Sequence, residues 1–304
     1  MAAFAKSVNE VEAKLAKLFT KEGRLRGLSF TPRPDDVFVT TSAKAGTTWV
    51  QQIVHQLRTR GSMDFEEITE VIPWVEAATD IGIDLEAEQV ATPRAFKTHC
   101  WYDHCPKGGK YIVVMRNPRA VAPSLYKMLA GWWFLPSDID VNTFVRSFWL
   151  ARGKPQSKLE NSSYWHFYAS WWPHRHDSNV LWLFYEDMLE DHLGSVKKIA
   201  TFINCGADDE ELHQLVVKQS SLEFMKKHVV KYDDHLLKSK RNEAIDVPKD
   251  ASGAAKVNEG NNEAYKAMLS PEVIQAIDDA WKLMEDATGF SCYEDLRKNS
   301  SFTK

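Results

Sequence analysis

Asp36-Val37-Phe38-Val39-Thr40-Thr41-Ser42-Ala43-Lys44-Ala45-Gly46-Thr47-Thr48-Trp49 decides the fold: a short apolar run, a turn of small residues, and the start of a helix. Such a turn leaves backbone amides unpaired at a helix N-terminus, where the macrodipole adds partial positive charge. Lys44 and the hydroxyls of Thr47 and Thr48 supply further donors, so the stretch is built to hold a phosphate-like anion. Val50, Ile53, Val54 and Leu57 follow at helical spacing and anchor the loop to a buried element. The order is not that of the NTPase loop ending in Gly-Lys-Ser/Thr, because here the lysine precedes the glycine. Taken alone, the segment also reads as an ordinary strand-turn-helix with an exposed lysine.

Working outward, apolar runs bounded by turn signals recur at Val37–Val39, Tyr111–Met115 and Val180–Phe184, with helical patterns between them. That alternation predicts an α/β fold, a central parallel sheet flanked by helices on both faces. Ligands of such sheets bind at the carboxyl ends of the strands. The segments after the three runs, Ser42–Thr48, Arg116–Arg119 and Tyr185–Asp187, are therefore expected to converge.

A chain of 304 residues that is 44% apolar and carries 11 tryptophans can bury a full core, and it reads as a single domain over 1–304. Residues 1–35 form a lead-in with an amphipathic helix whose apolar face is Val8, Val11, Leu15, Leu18 and Phe19. Residues 229–262 are polar with few apolar anchors and predict a mobile lid loop. Ser270 and Pro271 open a further helix as N-cap and first helical residue.

The formal net charge of −4 argues against a nucleic-acid partner. No apolar run reaches the length of about 18 residues that a membrane span needs, and the N-terminus lacks the apolar core of a signal peptide. Cys100, Cys105, Cys205 and Cys292 lack zinc-type pairing, and reduced thiols in a cytoplasmic protein account for them. No carboxylate cluster stands out, so no metal is expected.

Two further segments carry chemistry. In Arg94-Ala95-Phe96-Lys97-Thr98-His99, a strand would place Lys97 and His99 on one face. The cation disfavours an imidazolium and keeps His99 available as a neutral base; a structural histidine at a strand end is the alternative. In Arg116-Asn117-Pro118-Arg119, the first arginine ends a buried strand and offers a planar fork of donors to a phosphate, with Ser124 about two turns into the next helix. Pairing of Arg116 with a carboxylate across the sheet is the alternative there.

Together these segments resemble the soluble, cytosolic-type sulfotransferases that use 3'-phosphoadenosine 5'-phosphosulfate (PAPS). The family's Lys-Ser-Gly-Thr-Thr-Trp loop corresponds to Lys44-Ala45-Gly46-Thr47-Thr48-Trp49, and its Lys-Thr-His to Lys97-Thr98-His99. Its Arg-Asn-Pro with a following serine corresponds to Arg116-Asn117-Pro118 and Ser124. Its Tyr-Glu-Asp-Met corresponds to Tyr185-Glu186-Asp187-Met188, and its paired tryptophans to Trp171-Trp172. The resemblance implies a P-loop-like nucleotide-binding fold and metal-free, in-line transfer of a sulfuryl group from PAPS to a small acceptor's hydroxyl or amine. His99 is then the implied base, and Lys44 and Lys97 the implied stabilisers of charge. Thr47 and Thr48 with the loop amides are implied at the 5'-phosphate, Arg116 and Ser124 at the 3'-phosphate. Trp49, Tyr185, Ser220 and Leu222 are implied around adenine, and Trp74, Trp101, Trp132, Trp133, Phe134 and Trp149 around the acceptor.

The chain departs from the pattern at Ser42-Ala43, Ala120 and Leu222, none of which removes a charged ligand. The family's C-terminal Arg-Lys-Gly-x-x-Gly clamp corresponds only to Lys256-Val257-Asn258-Glu259-Gly260, so Lys256, Asn258 and Gly260 are the implied contacts there without the clamp arginine. A homodimer is possible for such a protein, but the family's dimer motif is not recognisable. The competing readings are a nucleotide kinase-like phosphoryl transferase and a non-catalytic nucleotide-binding relative; intact Lys44, Lys97 and His99 argue against the second.

Overall fold

Four parallel strands form the sheet of the computed structural model, which describes residues 2–251, 253, 256–257 and 262–300. They are β1 (Val37–Thr41), β2 (Ala95–Thr98), β3 (Lys110–Met115) and β4 (Val180–Phe184), in the order β2-β1-β3-β4. Strand register places Phe38 opposite Phe96 and Tyr111, and the three rings stack at centroid distances of 5.3 and 5.4 Å. The alternate residues Val37, Val39, Ala95, Ile112 and Val114 face the other way and pack with Val50, Ile53 and Val54. The period of two thus divides the core into two layers, each covered by helices. The expected α/β sheet with helices on both faces is what forms.

The helix after β1, Thr47–Thr59, shows why its N-terminus is free to meet an anion. Its N-cap is Gly46, which makes no side-chain capping bond. A good cap contributes about 1 kcal/mol, whereas fully burying each of Val50, Ile53, Val54 and Leu57 contributes roughly 1.5–3 kcal/mol. Burial therefore holds the helix, and the first-turn amides remain available. The entry to β1 is fixed separately, by a buried bidentate pair in which Arg94 donates to both carboxylate oxygens of Asp36 at 2.9 and 2.6 Å.

The amphipathic lead-in helix spans Val8–Leu18, capped by Ser7, and packs on the domain. Lys14 donates to the carbonyls of Ile245 and Asp246 at 3.0 and 2.8 Å. Those acceptors lie in the segment read as a loop. Residues 229–251 instead carry a 3-10 turn at Val229–Tyr232 and a helix at His235–Arg241, with Tyr232, Leu237, Ile245 and Val247 buried. The apolar anchors are widely spaced, so composition understates them, yet each finds a core contact. Asn258 and Gly260 lie outside the described residues. No helix among the described residues is long and apolar enough to cross a membrane.

Candidate functional site

The loop between β1 and the Thr47–Thr59 helix turns twice through left-handed backbone, at Lys44 (φ 68°) and Gly46 (φ 105°). Gly46 is required on two counts: its φ disfavours a side chain, and a Cβ there would lie 2.9 Å from the Tyr185 ring. Arg116 donates to the Lys44 carbonyl at 3.1 Å, which ties the loop to the end of β3. The Thr47 and Thr41 hydroxyls share a hydrogen bond of 2.6 Å, and Thr47 and Thr48 both line the cavity. Ala45 does not reach the cavity with its side chain, which is buried in the core, and its amide donates to the Ser42 carbonyl at 3.3 Å.

Lys97 and His99 do share a face, as the strand period requires. Both line one cavity with Lys44, Asp234 and Lys256. The Pro73–Val75 segment pairs with β2 through Lys97, whose amide donates to the Pro73 carbonyl at 2.8 Å and whose carbonyl accepts from the Val75 amide at 3.0 Å. This places the Trp74 ring 4.0 Å from the Lys97 ammonium and edge-on to His99 at 5.2 Å. The His99 amide donates to Glu76 Oε1 at 2.7 Å. His99 Nδ1 lies 2.8 Å from the Thr41 carbonyl, an acceptor only, so Nδ1 carries the proton and Nε2 keeps its lone pair. Burial, and then the nearby Lys97 charge, lower the His99 pKa to about 4, so the ring is neutral at pH 7.

Burial also lowers Lys44 to about 7 and Lys97 to about 8, with the Lys256 charge the next cause in both. Lys256 is not a free cation: its ammonium pairs with Asp234, and both side chains are 8% exposed. The clamp role implied for Lys256 would require that pair to open. Asp234 and Glu76 are neighbours of Lys256 and His99 that the sequence does not point to, beyond the Asp233-Asp234 doublet in a polar stretch.

At the other end of the loop, Arg116 lies over the Tyr185 ring at 4.3 Å and donates to Asn262 Oδ1 at 3.1 and 2.7 Å through Nε and Nη2. No carboxylate pairs with it among the described residues, so the alternative of a cross-sheet ion pair does not hold. Trp49 packs edge-on against Tyr185 at 5.3 Å and against His192 at 5.1 Å. The buried Ser220 hydroxyl donates to the Val216 carbonyl at 2.6 Å and therefore accepts from His192 Nε2 at 2.8 Å. Ser124 and Leu222 line the same cavity. Glu186 plays a supporting part, accepting from the Asn117 amide at 3.2 Å and from the Tyr293 hydroxyl, which holds the segment after Arg116.

The cavity encloses about 430 Å³. Trp74, Trp132, Trp133 and Trp149 line it, but Trp101 and Phe134 do not. Trp101 packs on His104 at 5.2 Å, and Phe134 is fully buried against Tyr126 and Phe144. Leu15, Leu18 and Phe19 from the lead-in complete the wall, a contribution that its helical pattern could not reveal.

Residues 34–298 match the family model described as the sulfotransferase domain. Amine sulfotransferase of Oryctolagus cuniculus is 30% identical over 202 residues, 65% of this chain and 65% of the relative. Sulfotransferase 1C2 of Rattus norvegicus is 27% identical over 215 residues, 66% of this chain and 69% of the relative. Among solved structures, mouse sulfotransferase SULT7A1 complexed with PAP superposes with a TM-score of 0.62 at 23% identity, covering 88% of this chain and 90% of that one.

Proposed function

This chain belongs to the sulfotransferase family, and we propose that it moves a sulfuryl group from PAPS to the hydroxyl or amine of a small acceptor held in the aromatic cavity. The observation that carries the proposal is the meeting of a neutral His99 with Lys44 and Lys97 on one cavity wall, directly beside a helix N-terminus without a side-chain cap. The residues fit a 3'-phosphorylated adenine nucleotide. Gly46 leaves a cradle that a Cβ would fill, and among the described residues Arg116 has no carboxylate partner and the buried Trp49 Nε1 has no hydrogen-bond partner.

Bound PAPS would supply a sulfuryl group on an activated phosphate. The loop amides and Thr48 would hold its 5'-phosphate, Arg116 and Ser124 its 3'-phosphate, and Trp49 and Tyr185 its adenine. His99 Nε2 would accept the acceptor's proton during in-line attack. Lys44 and Lys97 would place positive charge where it develops in the transition state, a task that side chains perform without a metal ion. Positioning matters as much as charge, and the Thr41 carbonyl and Glu76 fix both the tautomer and the backbone of His99.

Arg116→Ala is expected to weaken adenosine 3',5'-bisphosphate roughly tenfold to a hundredfold, with far less effect on ADP, because a charge-assisted contact to the 3'-phosphate is lost. Calorimetry with the two nucleotides tests this, and equal losses would assign that phosphate to another residue. Comparing thermal shifts with adenosine 3',5'-bisphosphate, ADP and ATP with Mg²⁺ tests the donor assignment itself. The 3'-phosphorylated nucleotide should stabilise most; a larger shift from ATP with Mg²⁺ would favour phosphoryl transfer.

A pH effect follows from Lys44. Its ammonium is needed to pair with a phosphate, but with a pKa of about 7 it loses its proton as pH rises. Affinity for adenosine 3',5'-bisphosphate should therefore fall between about pH 7 and 9, with proton uptake on binding. Calorimetry at pH 8 in buffers of different ionisation enthalpy reads that uptake, and Lys44→Ala should reduce it. Affinity that does not vary over this range would contradict the assignment.

A further inference from the structure

The acceptor end of the cavity holds a cation that the proposed reaction does not use. Arg152 lines the wall beside Phe148, its guanidinium carbon 4.5 Å from that ring's centroid. It makes no ion pair or hydrogen bond among the described residues; Glu12, exposed on the Val8–Leu18 helix, acts on it only through space. The side chain is half-buried, and this burial lowers its pKa to about 10. In the same cavity, the Ser162 hydroxyl is buried and has no hydrogen-bond partner among the described residues. The Ser163 amide donates to the Gly153 carbonyl at 2.9 Å, which joins the segments that carry the two side chains, and each is a donor without a partner among the described residues.

Their place in the cavity indicates which molecule supplies it. Arg152, Leu15, Phe19, Phe148 and Asn161 also line a second cleft of about 390 Å³, which His99, Lys97 and Lys44 do not touch. Arg152 therefore stands where the aromatic chamber meets that cleft, away from the reacting side chains. The cleft's own charges include Arg24 and Lys154 against Glu12 and Glu160.

We propose that Arg152, with Ser162, selects an acceptor bearing a carboxylate at the end remote from the hydroxyl that reaches His99. The inference rests on the sulfuryl-transfer reading given above. The guanidinium fork matches a carboxylate in a plane, and pairing relieves the penalty of its burial. The apolar body of such a hydroxy acid lies between, against Phe148, Trp149 and Phe19.

The test uses hydroxyaryl alkanoic acids of increasing chain length, each beside its methyl ester, with a neutral naphthol as reference acceptor. Sulfation with PAPS is followed by mass spectrometry, and binding to the complex with adenosine 3',5'-bisphosphate by calorimetry. At one chain length or more, the acid should exceed its ester in kcat/KM by about tenfold or more, the scale of a charged hydrogen bond. Arg152→Gln should bring that ratio close to unity, mainly through KM, and Arg152→Lys should retain part of it. Should Arg152→Gln fail to fold, the ratio in the unmodified enzyme decides. Esters that match their acids at every length, or a ratio that survives Arg152→Gln, would overturn the assignment. Sulfation of naphthol and esters without acid preference sinks Arg152 alone, whereas failure of every acceptor sinks the sulfuryl-transfer reading with it.

Discussion

His99→Ala should lower turnover by about 10²–10⁴, the usual contribution of a general base, while adenosine 3',5'-bisphosphate binds nearly as before. The asymmetry follows from the hydrogen bonding: Nδ1 donates to the Thr41 carbonyl and leaves Nε2 free to take a proton, a transfer that occurs only on the way to the transition state. The lowered pKa of about 4 keeps the ring neutral across the working range, so loss of activity towards alkaline pH should come from the lysines and not from the histidine. Steady-state kinetics beside calorimetry reads both quantities. Turnover within about tenfold of the unmodified enzyme would remove His99 from the base role.

Lys44→Ala should lower turnover by about 10²–10³, on the scale of removing one preorganised donor from a developing charge, and unlike His99→Ala it should also weaken the nucleotide. Lys44 sits in left-handed backbone at the centre of the loop, with its carbonyl engaged by Arg116. Its side chain is half-buried beside Lys97, Lys256 and Arg116, so a bound anion relieves repulsion among these cations as well as gaining a partner. Unchanged turnover in this variant would return the loop to a structural role.

Much of this arrangement was legible because it depends on short-range patterns. The runs at Val37, Tyr111 and Val180 became strands because buried parallel strands are continuously apolar. Lys97 and His99 share a face because strand side chains alternate. Less was legible where contacts join distant segments. Nothing local in Val8–Phe19 distinguishes a helix that merely covers the domain from one that supplies Leu15 and Phe19 to the cavity wall. The pairing of Lys256 with Asp234 depends on where residues 229–251 fold back, and their scattered apolar anchors disguised that folding as a loop. Trp101 and Phe134 show the converse: both are aromatics that the family resemblance implies around the acceptor, yet their packing puts them in the core.

The most direct test of sulfuryl transfer follows both products at once. The enzyme is incubated with PAPS, EDTA and a panel of phenols, alcohols and hydroxy acids, in parallel with ATP and Mg²⁺, and products are quantified by mass spectrometry. Equal amounts of adenosine 3',5'-bisphosphate and sulfated acceptor are predicted from PAPS, strongly reduced in His99→Ala, with no phosphorylated product from ATP. Phosphorylated acceptor from ATP, or no sulfated product from PAPS across the panel, would contradict the account.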